Sequence, residues 1–263
     1  MLHSDFIEID GLTYHIQQDI ISPNRPTILF LHDSLGSVKL WRDFPLQVSK
    51  STNCNILVYD REGHGESSPF QMTARPTNYL EIEADTLHKI ITHLNLKNVI
   101  LFGHSDGATI SLLYAAKYAE YVLGTIVEGV HVFVENVTLD GIKNAQYQLE
   151  TTNLKERVAK YHGDKTAKLF KMWIETWLNP TYKDWNIEKE IKSIQAPVLI
   201  FQGENDEFGT MEQVEKIKKN VTSKVIDFLV PECGHNPHKE KPEFIIEQVT
   251  QFISQEINYN ETL

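Results

Sequence analysis

The sequence predicts an α/β protein, a doubly wound and mostly parallel sheet interrupted by an inserted helical cap. Three observations lead there. Short β-branched runs alternate with longer amphipathic segments. Several of those runs are almost continuously apolar, as strands covered on both faces must be. One long stretch, residues 132–189, breaks the rhythm with helical patterns alone.

The elements follow in chain order. Phe6-Ile7-Glu8-Ile9 and Leu12-Thr13-Tyr14-His15-Ile16 alternate apolar and polar residues around Asp10-Gly11, a favoured two-residue turn, so the chain opens with an antiparallel hairpin. Thr27-Ile28-Leu29-Phe30-Leu31, Asn55-Ile56-Leu57-Val58-Tyr59, Asn98-Val99-Ile100-Leu101-Phe102 and Pro197-Val198-Leu199-Ile200-Phe201 read as buried parallel strands. Further strands are expected at 123–130 and 225–230. Helical spacing of apolar residues marks 81–94, 108–118, 211–219 and 244–257. Inside the break, helices are expected at 141–149, 154–161 and 167–178. That gives core residues 1–131, a cap at 132–189 and a second core portion at 190–263. Three of the four tryptophans, Trp173, Trp177 and Trp185, fall in the cap, where packing its own small core is the first expectation.

Composition narrows the function. Over 263 residues, 41% hydrophobic and 23% charged residues describe an ordinary globular chain. Thirty-six acidic against 25 basic residues give a net charge of −11, which works against binding nucleic acid or an anionic membrane surface. The two cysteines make no metal motif, and Cys54, beside an apolar run, reads as a core residue. No apolar stretch approaches the ~18 residues that span a bilayer. The first residues show neither a basic nor an apolar signal region, so a cytoplasmic location is expected.

Gly103-His104-Ser105-Asp106-Gly107 fits G-x-S-x-G. Alone this means little, since three fixed positions arise by chance in on the order of one such chain in ten. Its context is what counts: an apolar strand ends directly before it and a helix-forming run follows, the strand–turn–helix that exposes a nucleophile. The plainer reading is a tight turn in which Ser105 caps the helix. A serine hydroxyl needs a base, and His235 lies just after the last strand, with His238 its competitor; His238 follows Pro237, where it is expected to start the last helix. The acid is expected after the preceding strand, where Asp206 is the first choice, with Glu204 and Glu128 as alternatives.

These motifs, with Asp60-Arg61-Glu62-Gly63-His64-Gly65-Glu66-Ser67, which is similar to a D-x-x-G-x-G-x-S loop, make the chain resemble the α/β-hydrolase superfamily over nearly its whole length. The resemblance implies Ser105 as nucleophile, His235 as base and Asp206 as its orienting acid, with no metal or cofactor. It also implies an oxyanion site from the backbone N–H groups of Ser34 and Asp106. Asp33 departs from the pattern, standing where glycine is common; its carboxylate is expected to turn away, toward Arg61. His131, Trp173 and Trp177 are candidates for the substrate pocket.

The reaction expected is hydrolysis of a small-molecule carboxylic ester, thioester or lactone with an apolar or aromatic acyl group. Two alternatives stand beside it: C–C bond hydrolysis of a ring-fission diketone, for which Arg157 is the cap's lone arginine, and a non-catalytic small-molecule receptor. Hydroxynitrile lyases and cofactor-free dioxygenases share the fold. A haloalkane dehalogenase is disfavoured, because such enzymes carry an aspartate where Ser105 stands, and so is a membrane-acting lipase.

Overall fold

The computed structural model describes residues 2–257. Its sheet has eight strands: β1 (His3–Ile9), β2 (Leu12–Asp19), β3 (Thr27–Leu31), β4 (Asn55–Tyr59), β5 (Val99–His104), β6 (Val122–Glu128), β7 (Val198–Gly203) and β8 (Val225–Val230). They lie in the order β1-β2-β4-β3-β5-β6-β7-β8. β1 and β2 form the expected hairpin, with Ile9 opposite Leu12. Its turn residues, Asp10 and Gly11, have φ of 53° and 76°, the pair of positive values that a type I′ turn requires. β2 joins β4 antiparallel, and every later pairing is parallel.

The continuous apolar runs are the central strands, and every residue of β3, β4, β5 and β7 is buried. Their side chains alternate between two layers. Leu29, Leu57, Leu101 and Ile200 face helices α2 (Tyr79–His93), α3 (Asp106–Lys117) and α7 (Met211–Asn220). Phe30, Val58, Phe102 and Phe201 face α1 (Phe44–Thr52) and α9 (Pro242–Glu256). Sequence periodicity does not reveal α1, a two-turn helix that seats little more than Phe44 and Val48 in the core. His238 does not open the last helix either. It sits in a separate turn, α8 (Pro237–Glu240), and α9 starts afresh at Pro242, which has no N–H with which to continue the helix before it.

Three helices separate β6 from β7: α4 (Asn136–Thr151), α5 (Leu154–His162) and α6 (Thr166–Trp177). The insertion has no separate core for its tryptophans. Trp173, Trp177 and Trp185 belong to the same apolar cluster as α2 and α3. Polar contacts seat the insertion as well. His162 Nδ1 accepts the Gly65 N–H at 2.9 Å, its Nε2 donates to the Leu35 carbonyl at 2.9 Å, and Lys165 donates to the Gly65 and Ser67 carbonyls.

The close approach that positions the rest is between α3 and the strands beneath it. A Cβ on Gly103 would stand 2.2 Å from the Gly107 carbonyl oxygen, and one on Gly107 would stand 2.1 Å from that of Leu31. Both neighbours are backbone, so neither can swing aside. Gly107→Ala is therefore expected to destabilise the protein by about 3 kcal/mol or more, at the upper end of overpacking costs. The urea unfolding midpoint checks this, and an unchanged midpoint would show that α3 is free to shift.

Candidate active site

Ser105 stands between β5 and α3 with φ of 55° and ψ of −119°, a conformation that costs a residue with a Cβ about 1–3 kcal/mol. Surrounding bonds hold it there. Its N–H donates to the Glu128 carbonyl at 3.0 Å, and its own carbonyl accepts from Ala108 and Thr109 in the first turn of α3. The plainer capping role finds no support, since the Ser105 side chain makes no cap hydrogen bond.

The loops after β7 and β8 bring two of the expected residues into contact. His235 Nδ1 lies 2.9 Å from both Asp206 Oδ1 and Oδ2, so Nδ1 carries the proton and Nε2 is left as the acceptor. The carboxylate is further held by the Phe208 N–H at 2.8 Å and the Gln202 side-chain amide at 2.8 Å. Burial alone would raise the Asp206 pKa, but the charge and hydrogen bond of His235 outweigh it and bring it down to about 2. Burial would lower His235, and the Asp206 carboxylate outweighs that too, raising it above 6.5.

The alternative residues are engaged elsewhere. Glu204 accepts the Glu232 N–H in the turn before His235. Glu128, fully buried, pairs with the His238 ring at Nδ1 and accepts the His238 N–H at 3.0 Å. Burial lifts Glu128 to about 7 and pushes His238 well below its ordinary value.

Asp33 does not turn its carboxylate to Arg61. Oδ1 accepts the Leu35 N–H at 2.8 Å and Oδ2 lies 3.2 Å from His104 Nδ1. Arg61 meets the Asp33 backbone carbonyl instead, donating from Nη2 at 2.9 Å. The tight turn lets the carboxylate bond the N–H two residues on, so only the main chain faces the guanidinium. Burial would raise Asp33, but the hydrogen bond and charge of His104 hold it well below its ordinary value. His104 Nε2 lies 2.8 Å from the His235 carbonyl, so the same ring ties the loop after β3 to the loop after β8. Neither contact has a periodicity or motif that would announce it in a sequence.

Ser105, His235, Ser34 and Asp106 line one cavity of about 150 Å³, together with His131, Trp173 and Trp177. Among the described residues, the N–H groups of Ser34 and Asp106 have no hydrogen-bond acceptor. His131 donates from Nε2 to the Phe208 carbonyl at 3.0 Å, and its ring lies 5.4 Å from that of Trp177. The arrangement offers a hydroxyl, an imidazole acceptor and two unengaged amide donors to one small space, and nothing in that set calls for a metal.

Residues 28–248 match the family described as Alpha/beta hydrolase family. The human protein named Serine hydrolase BPHL is 27% identical over 239 residues, spanning 88% of this chain and 80% of that one. A putative esterase/lipase of Haemophilus influenzae is 27% identical over 272 residues, spanning 92% of this chain and 88% of that one. In fold, the chain superposes on the 2-hydroxy-6-oxo-6-phenylhexa-2,4-dienoate hydrolase of Rhodococcus sp. strain RHA1 with a TM-score of 0.82 at 13% identity, over 97% of this chain and 99% of that one.

The Asp206–His235 pair gives stability a definite pH signature. Asp206, held below its ordinary 3.8, contributes stability that is present above that pH and lost as pH falls toward about 2. His235, held above its ordinary 6.5, contributes stability that is present below that pH and lost as pH rises through its folded value. Asp206→Asn is therefore expected to lose most, about 2 kcal/mol, between about pH 4 and pH 6.5. Urea midpoints of the two proteins, compared from about pH 3 to about pH 9, check this; a deficit that grows above about pH 8 would contradict the pairing.

Proposed function

The chain belongs to the alpha/beta hydrolase family and is a hydrolase, and from that premise we propose that it cleaves a small-molecule carboxylic ester, thioester or lactone through an acyl-enzyme on Ser105. One observation carries the reading. Ser105, the His235 of the Asp206 pair and the unengaged N–H groups of Ser34 and Asp106 all open onto the same cavity.

The chemistry follows from their roles. His235 Nε2 takes the hydroxyl proton as Ser105 Oγ bonds to the substrate carbonyl carbon. The charge that develops on the carbonyl oxygen is met by the Ser34 and Asp106 N–H groups, which are in place before reaction. Asp206 stabilises the imidazolium and fixes its orientation. The proton then passes to the departing alkoxide, thiolate or enolate, and the C–O or C–S bond breaks. Water, deprotonated by the same imidazole, hydrolyses the acyl-enzyme and frees Ser105.

Size and charge limit the substrate. A cavity of about 150 Å³ accommodates a small acyl group beside Trp173, Trp177 and Ile142. Asp33, whose carboxylate is partly exposed, lies in its wall, the Asp106 carboxylate is buried against Arg61, and among the described residues no lysine or arginine lines the cavity. A neutral or cationic ester suits that wall, whereas the carboxylate of a ring-fission dienoate would meet no opposite charge there.

Ser105→Ala is expected to lower kcat for p-nitrophenyl acetate by at least about a thousandfold. Full activity in that variant would overturn the acyl-enzyme. In the parent protein kcat/KM should rise with pH through an apparent pKa above 6.5, because protonated His235 cannot accept the hydroxyl proton. An aryl acetate should be turned over faster than the matching hemisuccinate, and the reverse order would overturn the assignment of a neutral or cationic substrate.

A further inference from the structure

Arg61 follows β4 and is wholly buried, although it is one of the largest and most polar side chains in the protein. Its backbone N–H donates to His32 Nε2 at 3.1 Å, which makes Nε2 the acceptor and leaves the ring proton on Nδ1. That Nδ1–H donates to the Asp33 carbonyl at 2.7 Å. Burial, reinforced by the charge of Arg61, depresses the His32 pKa to about 3, so the ring keeps this single proton at neutral pH. The Arg61 side chain meets the same oxygen, Nη2 donating at 2.9 Å.

The Asp33 carbonyl and the Ser34 N–H are two ends of one peptide plane. No peptide bond among the described residues is cis, so the N–H points opposite to the carbonyl. Two donors anchoring the oxygen therefore fix the direction of the N–H, on a residue that lines the cavity. They also polarise the amide, which strengthens its N–H as a donor. The same guanidinium reaches the other side of the site, with Nη2 lying 3.5 Å from Asp106 Oδ2. Asp106 Oδ1 accepts the Tyr79 hydroxyl at 3.2 Å, and Tyr79 in turn accepts the Trp177 indole N–H at 3.2 Å. Glu83, 3.8 Å from Nη1, adds a second counter-charge.

We propose that Arg61 is a positioning residue of the oxyanion site: one guanidinium sets the Asp33–Ser34 peptide through its carbonyl and steadies Asp106, so that both amide donors converge on the carbonyl oxygen of the substrate. The proposal rests on the reading of Ser105 and its oxyanion site given above. Arg61 touches no reacting atom. Its contribution grows as negative charge develops on the substrate oxygen, so it acts on the tetrahedral state more than on bound ester. Nη2 meets both the Asp33 carbonyl and Asp106 while Nη1 faces Glu83, a planar spread of charge that the single ammonium of a lysine does not reproduce.

The test compares the parent protein with Arg61→Lys, Tyr79→Phe and Ser105→Ala. Each is assayed for kcat and KM on p-nitrophenyl acetate, for affinity toward a small alkyl boronic acid, which forms a tetrahedral serine adduct, and for affinity toward the matching unreactive ketone. Arg61→Lys is expected to lower kcat about tenfold to a hundredfold, less than the loss of a whole oxyanion donor. Boronate affinity should fall by a similar factor, while KM and ketone affinity stay within about threefold. Tyr79→Phe keeps its volume and should show the same pattern at a few-fold size, which carries the test if Arg61→Lys does not fold by thermal melting. Parent-like kcat and boronate affinity in the folded variants, or equal losses for boronate and ketone, would overturn the role of Arg61. Full turnover by Ser105→Ala would instead overturn the underlying reading of the site, and the two failures are told apart by which variant keeps its activity.

Discussion

Ser105 can hold its left-handed backbone only because α3 begins closer to the sheet than any side chain would permit. Its φ of 55° is not supplied by glycine flexibility, since neither Gly103 nor Gly107 has a positive φ. The two glycines supply room instead, letting the backbone of α3 rest against Leu31 and β5. The serine takes the strain, and the bonds from its N–H to Glu128 and from α3 to its carbonyl over-determine it. From that seat the first amide of α3, at Asp106, is left without a partner at the helix N-terminus, beside the cavity. The hydroxyl and one of the oxyanion donors of the proposed mechanism are thus consequences of a single steric fit.

The surroundings are more polar than a sheet edge usually is. His32, His104, His131, His235 and His238 are all buried around the ends of the strands, with Asp206, Glu128 and Arg61 among them. Buried groups of this kind survive only when paired, and the pairs run between loops that follow different strands. His104 joins the loop after β3 to the loop after β8, and Asp206 joins β7 to β8. Trp177 brings the insertion into the same network through Tyr79. The insertion is therefore part of the wall of the site and part of its hydrogen bonding, rather than a cover with a core of its own.

Much of this was legible in the sequence because strands buried on both faces write themselves as unbroken apolar runs, and the residues that matter follow directly where the runs stop. Gly103, Asp206 and His235 could be placed at strand ends by that rule, before any contact was known. The sense of each contact was not legible. Asp33 turns to His104 because an Asx-type turn captures its carboxylate, and Glu128 partners His238 because the end of β6 meets α8, 110 residues on in the chain. A buried arginine in a glycine-rich loop carries no periodic signal, so Arg61 could be named only for a contact it makes with a carbonyl rather than a carboxylate. Seven helices that flank the sheet or form the insertion were visible as stripes, and α1 was missed because Pro45 and Ser49 stand among its buried positions and leave only Phe44 and Val48 to mark a stripe.

The central claim is that His235 activates Ser105. Its most direct measurement treats the purified protein, in parallel with His235→Ala, with a small fluorophosphonate and locates the adduct by peptide mass spectrometry. The account predicts a single phosphonylated residue, Ser105, in the parent protein and almost none in the folded variant. Labelling that spares Ser105, or labelling of Ser105 at the same rate without His235, would contradict it.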